Sequence, residues 1–282
     1  MINQLQCLHI TGGEIVNADC TQRADLLIVE GRVASIGTKL DVPKGCPTMD
    51  ASGLLIMPGG VDIATYIQNE LFGFDASTYE NTTKEALLGG TTTIVDTVIC
   101  PKGRLPFDVF VETRNRVKNA PIWCNVVYRV GIMEISAPIL EQMERLVKQN
   151  QINSFLFLVS TTNDSKGSGG ITVDQLRIAL EKCRLWGVVA FVRIDIQSIT
   201  EKNDFIGKQT EAEAKILEQV LTAAEDTNCP IVLTSPQRTD AIVGAFRARR
   251  QIPPVHVQVC CTPSTLLPTT EHDLVSVNEK EN

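Results

Sequence analysis

Hydrophobic and polar positions change rhythm near residue 54. Before it, short apolar runs at residues 7–11, 13–16, 25–30 and 32–36 are cut by the turn-forming stretches Gly12-Gly13, Asn17-Ala18-Asp19 and Glu30-Gly31. Leu26, Ile28, Val33 and Ile36 give these runs apolar, partly β-branched content, and Pro43, Gly45 and Pro47 interrupt the chain after them. No 3.6-residue period is present, so residues 1–53 are predicted to form a small β unit. After residue 54, strand-like runs at 54–57, 91–99, 122–130, 154–159, 188–194, 231–234 and 255–259 alternate with helix-like stretches at 78–88, 107–119, 139–149, 173–185, 211–226 and 241–250. The helical spacing is plain in Ile139, Met143 and Leu146, in Val173, Leu176, Leu180 and Cys183, and in Leu217, Val220 and Ala224. Thr172 stands where an N-cap is expected.

Near-continuous apolar strands alternating with helices predict a parallel sheet covered by helices. A doubly wound open sheet and a (β/α)₈ barrel both have this pattern. A dinucleotide fold needs G-x-G-x-x-G after its first strand, and Pro58-Gly59-Gly60-Val61-Asp62 does not supply it. The barrel is the preferred reading, although seven strands and six helices are one unit short of closure. The alternation stops at Cys260-Cys261, so residues 54–261 are expected to be a partial barrel. Residues 262–282, polar and broken by Pro263 and Pro268, are expected to be a disordered tail.

Composition narrows the function classes. The 282-residue chain is 43% hydrophobic and 21% charged, which excludes a disordered or fibrous protein. A net charge of −7 gives no electrostatic footprint for nucleic acid or an anionic membrane. No apolar run approaches the ~20 residues of a bilayer span, and the first residues lack a signal-peptide pattern, so a cytoplasmic location is expected. Nine scattered cysteines without a C-x-x-C read as reduced, mostly buried side chains.

Several segments carry a family resemblance. Met57-Pro-Gly-Gly-Val-Asp-Ile-Ala-Thr-Tyr66 is similar to the proline–glycine–glycine–aspartate turn that leads into a His-x-His pair in the cyclic amidohydrolases of the dihydropyrimidinase and hydantoinase family. Thr82-Thr-Lys-Glu-Ala-Leu-Leu-Gly-Gly-Thr-Thr-Thr-Ile-Val-Asp96 resembles its following helix, double glycine and second barrel strand. Met143-Glu-Arg-Leu-Val-Lys with Asn153-Ser-Phe-Leu, Thr227-Asn-Cys-Pro-Ile-Val, and the opening Gly12-Gly13-Glu-Ile-Val-Asn extend the likeness. Within that family the chain looks most like the collapsin response mediator, or dihydropyrimidinase-related, proteins. The resemblance implies an α/β fold: an incomplete TIM-like (β/α) barrel of amidohydrolase type, preceded by a small N-terminal β-sandwich unit.

Active members of the family hold two divalent metals, zinc among them, through the His-x-His pair, a carboxylated lysine, two further histidines and an aspartate. The metals activate water against a cyclic amide. Matched position by position, the His-x-His pair is replaced by Ala64 and Tyr66, the bridging lysine by Thr162, and the two further histidines by Arg193 and Ser235. The three histidines present, His9, His256 and His272, fall in none of these places. Neither a metal, another cofactor nor catalysis is therefore expected. Asp62, Asp96, Arg129, Arg193 and Asp195 are expected near the C-terminal ends of strands, where barrel sites lie, as a relic polar pocket. The resemblance implies a non-catalytic scaffold in cytoskeletal and axon-guidance signalling. Its expected partners are protein: a second copy, a longer paralogue, or tubulin, with no nucleic acid and no membrane. Two alternatives stand beside this reading, a residual cyclic-amide hydrolase and a truncated isoform that modulates a full-length relative.

Overall fold

The structure is a computed structural model that describes residues 6–67, 76–160, 170–195, 205–234 and 255–258. The chain divides into two compact units, Met1–Gly60 and Val61–Asn282.

The first unit is all β. Strands β1 (Cys7–Thr11), β4 (Asp25–Val29), β5 (Arg32–Gly37) and β6 (Thr48–Asp50) form one sheet in the order β5-β4-β1-β6. Strands β2 (Glu14–Val16), β3 (Thr21–Arg23) and β7 (Leu55–Ile56) form another, in the order β3-β2-β7. Glu30 and Gly31, at φ 51° and 72°, make the tight connection between β4 and β5. Two consecutive left-handed residues match the right-handed twist of a two-residue hairpin, which is why a glycine sits there. Ile15, Ala24 and Leu26 are buried together, with Ile10, Ile28 and Ile56 against them. Residues 54–57 were expected to open the barrel. Instead Leu55 and Ile56 pair with Glu14 and Ile15, because Ile56 completes this small core.

The second unit is a curled, seven-stranded parallel half-barrel whose strands follow in chain order. They are β8 (Gly60–Thr65), β9 (Thr91–Cys100), β10 (Asn125–Ile132), β11 (Ser154–Ser160), β12 (Val189–Asp195), β13 (Ile231–Thr234) and β14 (Val255–Gln258). Between them run α1 (Ala76–Leu88), α2 (Pro106–Val117), α3 (Ala137–Asn150), α4 (Val173–Trp186) and α5 (Phe205–Asp226). The helix expected at 241–250, Cys260-Cys261 and the tail 262–282 lie outside the described residues.

Alternation along the strands divides the side chains between two faces. Val98, Val130, Phe155, Phe157, Val192 and Leu233 point outward and are buried against Phe110, Met143, Leu146, Leu176, Leu180 and Val220 of the helices. The expected N-cap forms: Thr172 Oγ1 accepts the Gln175 N–H at 3.2 Å, and the Gln175 side chain accepts the Thr172 N–H at 3.0 Å. This capping box satisfies two donors that a helix start leaves without partners. Cys100, Cys124, Cys183 and Cys229 are buried free thiols, while Cys20 is exposed. Burial pushes Cys100 and Cys229 up to about 11, so both stay protonated at neutral pH.

Candidate functional site on the inner face of the half-barrel

The first barrel strand delivers Asp62, Ala64 and Tyr66 to the C-terminal end of the sheet. Asp62 is exposed, and its Oδ1 accepts the Ala64 N–H at 2.8 Å, a local turn contact. Ala64 and Tyr66 are half-buried. The next residue, Ile67, donates its N–H to Asp96 Oδ1 at 2.9 Å, tying the end of β8 to β9.

Asp96 does not join the pocket with Arg129. The register pairs Tyr128 with Asp96 and Arg129 with Thr97, so Asp96 and Arg129 project from opposite faces of the sheet. Asp96 is fully buried on the helix side, near Tyr79 of α1 and Tyr128 of β10, whose hydroxyls meet at 3.2 Å. Burial, together with the hydrogen bond to Tyr128, raises the Tyr79 phenol well above its ordinary value. Burial also raises Tyr128, although the Tyr79 contact works the other way there.

Arg129 lies on the inner face and is 1% exposed. Its guanidinium carbon stacks 3.4 Å from the centre of the Phe191 ring. Among the described residues, Nε and Nη1 have no hydrogen-bond partner, and neither does Oγ1 of Thr97, its neighbour in register on the same face. Burial pulls the Arg129 guanidinium down to about 10, with Tyr66 nearby acting in the opposite sense. Arg193 follows Phe191 by two residues on β12, so it shares that face, and it is exposed. Asp195 ends β12 in register with Ser160; its side chain, and all of Thr162 and Ser235, lie outside the described residues. The inner face thus carries Arg129 and Arg193, with Arg129 stacked on Phe191 and beside Thr97, two residues the sequence did not single out. Their signal was available in the alternation of β9 and β12 about positions 97 and 191.

These residues do not fit a pair of divalent metals. Ala64 carries no donor atom, and two guanidinium groups on the face oppose a dication by Coulomb repulsion. Among the described residues, no three His, Cys, Asp or Glu side chains converge on a point that could hold a metal ion.

No family model matches the chain. Human dihydropyrimidinase-related protein 5 is 29% identical over 241 residues, covering 80% of this chain and 42% of its own length. Rat dihydropyrimidinase is 28% identical over 265 residues, covering 86% and 50%. Homologues of this chain are dihydropyrimidinase-related proteins, dihydropyrimidinases and D-hydantoinases. The crystal structure of dihydropyrimidinase from Brevibacillus agri superposes with a TM-score of 0.76 at 21% identity, covering 93% of this chain and 58% of its own. It shares the fold. The chain spans about half the length of the curated relatives it matches. Homology to both dihydropyrimidinases and dihydropyrimidinase-related proteins therefore leaves the chemistry of the inner face to decide between catalysis and binding.

Proposed function

We propose that the chain is a non-catalytic dihydropyrimidinase-related protein that works in the cytoplasm by binding other proteins. The observation that carries this reading is the substitution of the family's metal-ligand positions, with Ala64 and Tyr66 on β8 and the cation of Arg193 on β12. A water nucleophile at neutral pH requires a metal or a strong base beside it, and Ala64 and Arg193 supply neither. The proposed partners are a second copy, a longer homologue and tubulin, in cytoskeletal regulation. Homology to dihydropyrimidinase-related protein 5 and to the nematode protein unc-33 supports a dihydropyrimidinase-related role, and the cytoskeletal partner is our own proposal. No helix among the described residues is long and apolar enough to cross a membrane. Fold does not determine function, so the partner assignment calls for its own test. A quantitative pull-down from cytosol, scored for tubulin and for family homologues, is expected to enrich at least one of them over a bead control. Enrichment of neither, with ring-opening of a dihydropyrimidine by the same preparation, would favour the residual hydrolase instead.

A further inference from the structure

A buried guanidinium with two donor groups unpaired is costly, since the charge loses its water and gains no carboxylate in return. Among the described residues Arg129 is in this state, and its setting has the form of a receptor. The Phe191 ring fixes the plane of the guanidinium, and the fully buried Thr97 offers a hydroxyl without a partner on the adjoining strand. Among the described side chains, Asp62 accepts the Ala64 N–H, and Asp96 accepts the Ile67 N–H on the other face. Exposed Arg193 places a second cation on the same face, toward solvent.

We propose that the inner face of the half-barrel binds a small carboxylate, held by the Arg129 guanidinium and the Thr97 hydroxyl. The site has reversed the sign of its ligand relative to a metal centre: it presents cations and hydroxyl donors where a metal would need anionic or neutral bases. Arg193 attracts the anion at the rim. The Phe191 ring lies over a face of the guanidinium, so the carboxylate meets its N–H groups in the guanidinium plane. A carboxylate seated there supplies an acceptor to Nε or to Nη1, whose N–H bonds leave different edges of the guanidinium, and accepts a hydrogen bond from Thr97.

Thermal unfolding in sodium acetate, against sodium chloride at equal ionic strength, tests the proposal on the full chain. Acetate is expected to raise Tm by roughly 2–4 °C at ten times its dissociation constant, and logarithmically with concentration beyond it. Arg129→Met is expected to lose at least tenfold in apparent acetate affinity, and Thr97→Val several-fold. Should Arg129→Met not fold, Arg129→Lys keeps the charge but alters the donor geometry, and is expected to weaken the acetate response several-fold. Equal shifts in acetate and chloride, or an undiminished response in both Arg129 variants, would overturn the assignment. So would a Tm that rises with protein concentration and ignores acetate, since the partner carboxylate would then come from a second copy.

Discussion

Tyr79 and Tyr128 join hydroxyl to hydroxyl beside the buried Asp96, and their protons are held more tightly in the folded chain than in the unfolded one. A phenol raised above its ordinary 10.0 keeps its proton in the folded state after the unfolded state has released it. Its contribution is therefore complete below pH 10 and falls as pH rises beyond it. Tyr79→Phe is expected to cost ~1 kcal/mol at pH 7 and to make the decline above pH 10 shallower, read by urea unfolding across that range. An unchanged alkaline slope would remove Tyr79 from this role. At this scale the sequence was legible where a residue acts on its own neighbours. Asp62, in the Pro58-Gly59-Gly60-Val61-Asp62 stretch, holds the Ala64 N–H two residues on. The sequence places Asp96 and Arg129 in one pocket because both stand near the C-terminal ends of strands, where barrel sites lie. Only the pairing of Arg129 with Thr97 reveals that they face apart, and a register between strands is a property of two segments, invisible within either.

The secondary structure of the half-barrel follows the apolar spacing closely. The run expected at 154–159 is β11, Ser154–Ser160, and the helix expected at 173–185 is α4, Val173–Trp186. Thr172→Ala removes the N-cap acceptor of that helix and is expected to cost ~1 kcal/mol in chemical denaturation, without changing the fold. Gly170, just before it, is under a tighter constraint. A Cβ there would stand 2.0 Å from the Leu158 carbonyl oxygen, where Ile171 N–H bonds to that same carbonyl at 2.7 Å. Gly170→Ala is therefore expected to destabilise more than Thr172→Ala, and equal losses would contradict the close approach. Strands β3 and β6 escaped the sequence because Thr21–Arg23 and Thr48–Asp50 are exposed throughout and carry no alternation. They exist through their partners: Thr21 pairs with Val16 and Thr48 with His9. The pairing of β7 with β2 is likewise a long-range contact that no local pattern announces.

Across the whole molecule, the consequence of the half-barrel is two edges. Strands β8 and β14 end the seven-stranded sheet, and each pairs on one side among the described residues. Val61 and Ile63 of β8 are 61% and 38% exposed, and Val127 and Val189 on the inner face are 37% and 41% exposed. Unpaired strand edges beside apolar side chains invite further pairing. Size-exclusion chromatography with light scattering is expected to give a mass of at least two chains, or a complex with a longer homologue when one is supplied. A sharp monomer that unfolds cooperatively at dilute concentration would contradict it. We propose that homology to hydrolases survives here in a chain whose inner face does not bind their metals. Restoring histidine at positions 64 and 66 alone should not recover hydrolysis, because Arg193 still stands on the inner face. The most direct measurement is the zinc content of the protein purified from zinc-supplemented medium, taken together with ring-opening of dihydrouracil and hydantoin. The expected result is less than stoichiometric zinc and no turnover; one or more zinc ions per chain, with hydrolysis abolished by chelation, would contradict it.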